Sequence, residues 1–579
     1  MTDRPKVVRS QRPAMSPAGG SRIARCLSIV VAIAALVASA PIACAQNQIL
    51  FLAEDVPVGL DFDGPAATIN TSQTGYLNLL EPMIGYARGA PNDEGIGLLD
   101  YSKFEGRLVE SWDYDAASLT WTFHLRHGVK GCNGTTFNAD DVIYSFERAK
   151  SVSGKTPVAW FLASLGSIKG FTRDVFKPDA DKSLGDAVVK VDDYTVKIKQ
   201  SSANGLFLLL FTVYGFDPWD KETMQAHAAA DDPWSHNYAN TENAPGFGAY
   251  CLERWVKDDE FVLRANPDYY RGKPAIDRIV MKKVPQSSNR VVTLRSGGAQ
   301  LTQRLTPKEF DSLRRARGVK VAGVYGNETL FINTNFKTPL FQDLKLRQAL
   351  AYGVNYQQVI DTGYVGQARK WEGLIPATFP GYRKPKTQYG YDPAKAKALL
   401  AEAGFPNGAG LDKYPNEMRL SYAAERESTL GPIATVIQTS LRDIGIPIAL
   451  DPLPQTQFSD RRAVKKDLPM ALSDIDKSVG IDAIYATKLY FVSPTAGGIN
   501  NMANYSNPKI DELYAQALVE PDAAKRAAMA GEIQEILQDD LAWIPLLETK
   551  TQWAFSDKLT GITWHPDNSI RFFDLHYAK

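Results

Sequence analysis

The chain has 579 residues, with 65 Lys and Arg against 65 Asp and Glu. A net charge of zero excludes the basic footprint of a nucleic-acid binder, and the length leaves room for roughly three to four domains. Residues 1–45 differ from the rest. Arg4, Lys6, Arg9, Arg12, Arg22 and Arg25 precede an apolar run at 26–40, Pro41 breaks it, and Ala43-Cys44-Ala45 is a small-x-small cleavage site. This is the pattern of a secretory signal peptide, with Met15 as an alternative start. The run is too short to span a bilayer comfortably. Lipid attachment at Cys44 stays open, although Pro41 stands where a lipobox has Leu. Cleavage after Ala45 removes six bases and one acid, so 59 bases then face 64 acids. No further long apolar run follows, and the mature chain reads as soluble. Of its cysteines, Cys132 and Cys251 remain. They read as free, partly buried thiols, with a disulfide left open in an oxidising compartment.

In chain order, residues 49–52 form a buried strand followed by Glu54 and Asp55. Residues 119–126 alternate, with Trp121, Phe123 and Leu125 on one face of a strand. Residues 113–118 are its hairpin turn and 110–112 its partner. After a glycine-punctuated loop at 128–134, Asn138 caps a helix with Asp141 at the third position. Val142, Phe146 and Ala149 line its apolar side. At about 100° per residue Tyr144 projects away from them, toward solvent or a cleft. Residues 151–182 are a Gly/Ser/Lys-rich insertion, 189–200 a strand pair, and 205–214 a short buried element. Residues 253–264 and 276–284 are strands, 330–335 another, and 345–353 a helix. Asn355 caps the next helix, and 391–404 is an amphipathic helix closed by glycine. Strands 419–423 and 447–453 flank helix 431–444, a βαβ-like unit that implies a mixed sheet. Residues 523–538 are a helix, and 543–547 and 552–555 are strands.

Enzyme chemistry is not visible in this pattern. The chain has no HExxH, GxSxG or Walker loop, and no Cys/His cluster with zinc spacing. His124 and His127, three apart on or just past a strand, point to opposite faces and suit no shared metal. The reading is of a protein that is not an enzyme and has no cofactor or metal. Trp160, Phe161, Tyr214, Phe216 and Trp219 are candidate stacking surfaces.

Residues 104–149 carry a longer pattern: Leu108 and Trp112, a short hairpin, Thr122-Phe-His-Leu-Arg126, a glycine loop, then Phe137-Asn-Ala-Asp-Asp-Val142 and Ser145-Phe-Glu-Arg148. This order resembles the signature region of bacterial extracellular solute-binding proteins of family 5, the peptide, opine and nickel type. Asn266-Pro-Asp-Tyr-Tyr270, Pro245-Gly-Phe-Gly-Ala-Tyr250 and the LIPATFPG loop before Tyr382 are similar to further family marks. The resemblance covers about residues 50–579. It departs at 292–305, where Ala299 and Gln300 replace the family's acids.

The resemblance implies an α/β, two-lobed periplasmic-binding type II fold with an extra small domain, a cleft between the lobes and hinge closure around a ligand. It divides the chain into signal peptide 1–45, lobe I at 46–68, 201–323 and 553–579, a small domain at 69–200 packed on lobe I, and lobe II at 324–552. It implies a monomeric substrate-binding protein of an ABC importer that captures a peptide-like or other small polar solute for an inner-membrane permease. The alternatives are an opine or sugar conjugate, a metal chelate, or a chemosensory role. It assigns ligand-binding roles to Tyr144, to Glu54 or Asp55, to Cys132 at a loop position often polar in relatives, and to Arg462, aligned with a carboxylate-binding arginine. Where peptide binders have an aspartate that pairs with the ligand's ammonium, this chain has Ser478, and Ile475 replaces a tryptophan. Asp474, Asp476 and Asp482 could substitute if the loop shifts register. The departure favours a ligand with fewer free ammonium groups, since a lost charge-assisted contact costs about 2–5 kcal/mol.

Overall fold

A mixed sheet of eleven strands organises the molecule. The computed structural model describes residues 47–152, 161–172, 177, 180–214, 216–474, 478–498 and 500–578. In chain order the strands are β1 (Gln48–Ala53), β2 (Tyr250–Val256), β3 (Glu260–Ala265), β4 (Arg278–Lys283), β5 (Leu301–Gln303), β6 (Val319–Thr334), β7 (Ala368–Lys370), β8 (Arg419–Ala423), β9 (Ala449–Leu453), β10 (Met470–Ser473) and β11 (Ile544–Ser556). Their spatial order is β9-β8-β10-β6-β11-β5-β1-β4-β3-β2, with β7 added beside β11. β1 runs parallel to β4 and β5, and β8 parallel to β9 and β10. The βαβ-like unit read from the sequence is therefore present, closed by the helix Glu427–Arg442.

β6 and β11 join the two halves of this sheet. Val319 to Tyr325 pair with Ser556 to Lys550 on the side where β11 also meets β5. Thr329 to Ile332 pair with Glu548 to Ile544 on the side where β6 also meets β10. Between the two stretches β6 advances four residues while β11 advances two, so Gly326, Asn327 and Glu328 form a bulge. The sequence suggested a strand only at 330–335 and two separate strands near the C-terminus. The structure has two long strands instead, because β6 and β11 pair with each other on both sides of a glycine-containing bulge that local pattern reads as a break.

Two large cores flank the crossing. One gathers Leu330, Ile332, Leu350, Ile437, Leu472 and Leu546. The other is built on Ile49, Phe51, Phe123, Phe207, Trp219 and Trp564. On the second core lies a four-stranded antiparallel sheet, in the order Val109–Asp115, Thr120–Leu125, Thr195–Lys199, Val188–Asp192. The first of these strands runs to Asp115, into the stretch expected as turn, and the turn falls at 116–119. Phe123 and Leu125 are buried as their alternation requires. Helix α1 (Asn70–Leu79) precedes this sheet, and helix α2 (Ala139–Ser151) follows its first hairpin. Asn138 accepts from Asp140 N, and Asp141 accepts from Asn138 N at 2.9 Å, completing the capping box that the sequence announces. No helix among the described residues is long and apolar enough to cross a membrane.

Two expectations change here. Cys132 and Cys251 are joined by a disulfide that ties the glycine loop to β2, so Cys132 offers no polar side chain to a ligand. Tyr144 faces neither solvent nor a cleft. It is 2% exposed, packs on Trp234 with ring centroids 5.4 Å apart, and donates to Trp234 O at 3.5 Å. Helical geometry correctly turns Tyr144 away from Val142 and Phe146, but the segment around Trp234 covers that second face as well.

Candidate solute-binding cleft

A cavity of about 900 Å³ opens at the crossing of β6 and β11. Its walls come from loops at the carboxyl ends of strands, the usual site for ligands in α/β sheets. Glu54 and Asp55 follow β1, Arg304 and Thr306 follow β5, Glu425 and Arg426 follow β8, and Asp474 follows β10. The floor comes from the bulge and the middle of β11, through Glu328 and Lys550 to Gln552. The start of α1 adds Asn70, Thr71 and Gln73, and the C-terminal segment adds Asp567 and Asn568. Tyr214, Phe310 and Tyr364 supply the aromatic surface.

The charges on these walls are already partly matched. Arg304 Nη1 lies 3.0 Å from Glu54 Oε1, Lys283 Nζ lies 3.0 Å from Asp55 Oδ1, and Arg571 Nη2 lies 2.8 Å from Asp567 Oδ2. Arg426 pairs with Asp474, and Lys550 with Glu94. The two members of the Arg426 pair differ in setting: the Asp474 side chain is 8% exposed and that of Arg426 43%. Burial pushes the Asp474 carboxyl up, Arg426 opposes this, and Glu328 adds to it. Burial also opposes ionisation of Asp567, but Arg571 and the hydrogen bonds from Arg571 and Ser569 outweigh it and hold that carboxyl well below the usual range. Asp474 Oδ1 and Arg426 Nε have no hydrogen-bond partner among the described residues. The pair is thus joined through one oxygen and one terminal nitrogen, with donor and acceptor capacity to spare.

Of the residues singled out from sequence, Glu54, Asp55 and Asp474 line this cavity. Ser478 sits beside it, buried, with Oγ donating to Gly480 O at 2.6 Å. Asp482 instead caps the helix Ala483–Tyr490 and pairs with Arg526 at 2.8 Å. Arg462 is not among the lining residues. It is buried in the turn Asp460–Lys465 with its guanidinium 5.3 Å from the Phe458 ring centroid. Cys132 borders a separate small crevice with Cys251 and Asp220. Asp476 and Ile475 lie outside the described residues, as does Trp160. Of the aromatic candidates Tyr214 lines the cavity, while Phe161, Phe216 and Trp219 are core. Sequence reasoning missed Arg304, Glu328, Tyr364, Arg426, Lys550 and Asp567. Arg426 had a legible signal, because it follows a predicted strand in a βαβ-like unit. Glu328 and Lys550 had none, because the long strands that place them were not legible.

A cleft of this size, lined by both signs of charge where two strands cross between half-sheets, defines a two-lobed binding protein. The sequence profile of bacterial extracellular solute-binding proteins, family 5 Middle, matches residues 103–497, and the chain belongs to that family. It is 27% identical over 464 residues to the probable D,D-dipeptide-binding periplasmic protein DdpA of Escherichia coli (strain K12), covering 80% of this chain and 82% of that one. Among solved structures it resembles the ABC transporter-associated periplasmic binding protein DppA from Helicobacter pylori, solved in complex with the peptide STSA. The TM-score is 0.71 at 24% identity, over 92% of this chain and 98% of the other. It also resembles AgaA in complex with agropinic acid from A. tumefacien R10, with TM-score 0.69 at 21% identity over 92% and 99% of the two chains. The structural likenesses establish the fold. Membership of the family makes the protein a solute-binding component of an ABC importer, working with an inner-membrane permease.

Proposed function

We propose that the protein captures a small zwitterionic solute, peptide-like in its charges, and that it does so as a binder rather than an enzyme. The observation that carries this is the pairing of acids with bases on both walls of one cleft: Glu54 with Arg304 on one side, Asp474 with Arg426 on the other. A ligand bearing both an ammonium and a carboxylate can meet such walls without leaving either charge unmatched. The volume lies at the upper end of the 300–1,000 Å³ typical of small-molecule sites, so the solute can exceed a single amino acid. The named relatives that bind a dipeptide and a short peptide support this reading. The second reading is an opine or sugar conjugate. It draws on Ser478, whose hydroxyl is spent on Gly480 O and supplies no charge to an ammonium, and on the neighbour solved with agropinic acid. We read residues 1–45 as a leader that directs the chain to the periplasm.

Native mass spectrometry of the purified protein tests these readings together. A mass corresponding to loss of 1–45 is expected, with a retained solute whose identity separates peptide from conjugate. A protein whose cleft retains nothing and binds none of a panel of dipeptides, opines and metal chelates would refute the zwitterion reading.

A further inference from the structure

We infer that Asn327 fixes the two walls of the cleft relative to one another, a positioning role in solute capture that rests on the binding reading above. Asn327 lies in the β6 bulge, where the chain passes from one half-sheet to the other, and is 1% exposed. Its Nδ2 donates to Ser478 O and to Pro566 O, each at 2.8 Å. Ser478 immediately precedes Val479, which lines the cavity on the β10 side. Pro566 immediately precedes Asp567 and Asn568, which line it from the C-terminal segment. One amide group therefore holds the backbone of both walls.

The neighbouring bulge residues reinforce the same junction. Gly326 O accepts from Thr378 Oγ1 at 2.8 Å, and a Cβ at Gly326 would overlap the Trp564 indole. Glu328 accepts from Asn568, whose Oδ1 accepts from Trp564 Nε1 at 2.6 Å. A bulge frees side chains from strict alternation and re-aims them, which lets three successive residues reach three different segments. The task suits an amide specifically. Its NH₂ offers two donors in one plane, whereas Ser offers one and ionised Asp none. Asn327 Oδ1 has no donor among the described residues, so the side chain serves here through its nitrogen.

The test uses the full mature chain without added solute, spin-labelled at Val292→Cys and Val464→Cys, two exposed positions in the two halves of the molecule. Asn327→Asp sets a carboxylate against two carbonyl oxygens. It is expected to lengthen and broaden the interlabel distance distribution, with a smaller change in Asn327→Ser. Amide exchange in segments 478–480 and 566–569 is expected to speed up together, by roughly tenfold or more. A merely local loosening would raise exchange and leave the distance unchanged. An unchanged distance distribution in folded Asn327→Asp, or lost protection in only one segment, overturns the inference. If Asn327→Asp does not fold, the same distance criterion applied to Asn327→Ser decides. No solute enters the measurement, so a failure of the binding reading does not register as a failure of this one.

Discussion

Arg148 shows how a single position in the signature region works. Its side chain is fully buried between Asp61 and Asp63, 4.4 Å over the Trp219 ring, with Nε donating to Trp234 O at 2.9 Å. His236 Nδ1 lies 2.7 Å from Asp61 Oδ2. Two carboxylates thus share one guanidinium, and they differ in pKa. Burial opposes ionisation of Asp61, but Arg148 and His236 outweigh it and hold its carboxyl down at about 2. Burial pushes Asp63 up to about 6, with Arg148 opposing and the charge of Asp61 adding to the rise. The two shifts have opposite consequences for stability. The Asp61 contribution is present above its ordinary value of 3.8 and is lost as pH falls toward 2. The Asp63 contribution is present below 3.8 and is lost as pH rises through about 6. Asp63→Asn should therefore flatten the stability curve between pH 4 and 6 while leaving its acid limb in place. Urea midpoints across that window check this, and a mutant curve parallel to wild type would rule it out.

At the scale of elements, the disulfide and the crossing strands matter most. Cys132 and Cys251 stand 119 residues apart in sequence, so their bond restrains a long loop of the unfolded chain. It attaches the glycine loop before α2 to β2, an edge strand of the large sheet. Replacing both cysteines by serine should lower unfolding free energy by roughly 2–5 kcal/mol, read as a lower urea midpoint for the serine variant than for the wild type under oxidising conditions. The serine variant should also become indifferent to reductant, and equal stability of the two proteins without reductant would refute the prediction. The crossing strands act differently. β6 and β11 each pair in both halves of the sheet, and their register shifts at the bulge at 326–328 and again between Leu330 and Phe331. Pairing on both sides of the bulge resists separation of the strands, while the bulge gives a local point at which twist can change.

For the whole molecule, the cleft couples solute to stability. A solute held by both walls binds the folded chain and not the unfolded one, so at 100 times its dissociation constant it should add about 2.7 kcal/mol to stability. A thermal-shift titration with the solute released from the purified protein checks this. A transition that does not move over that concentration range would show that the solute does not bind the folded chain in preference to the unfolded one. The permease meets a molecule whose lobes are joined by two strands, so closure around the solute can change the surface presented to it.

The sequence by itself determined the elements whose information is local. Alternation at Trp121, Phe123 and Leu125, the Asn138–Asp141 capping box and the βαβ-like unit at 419–453 all appear as read, because side-chain periodicity and capping depend on residues only a few positions apart. The spacing of the 104–149 pattern also carried the family and the two-lobed fold. Tertiary structure alone decided which charges meet in the cleft. Arg304, Arg426, Lys550 and Asp567 are distant in sequence and become neighbours only when strand ends from both half-sheets converge. It also decided that Tyr144 is core and that Cys132 is bonded, because a helix face or a thiol has no partner until another segment packs on it. The continuity of β6 and β11 belongs here too. They pair with each other on both sides of the bulge at 326–328, and such pairing leaves no periodic trace in either strand.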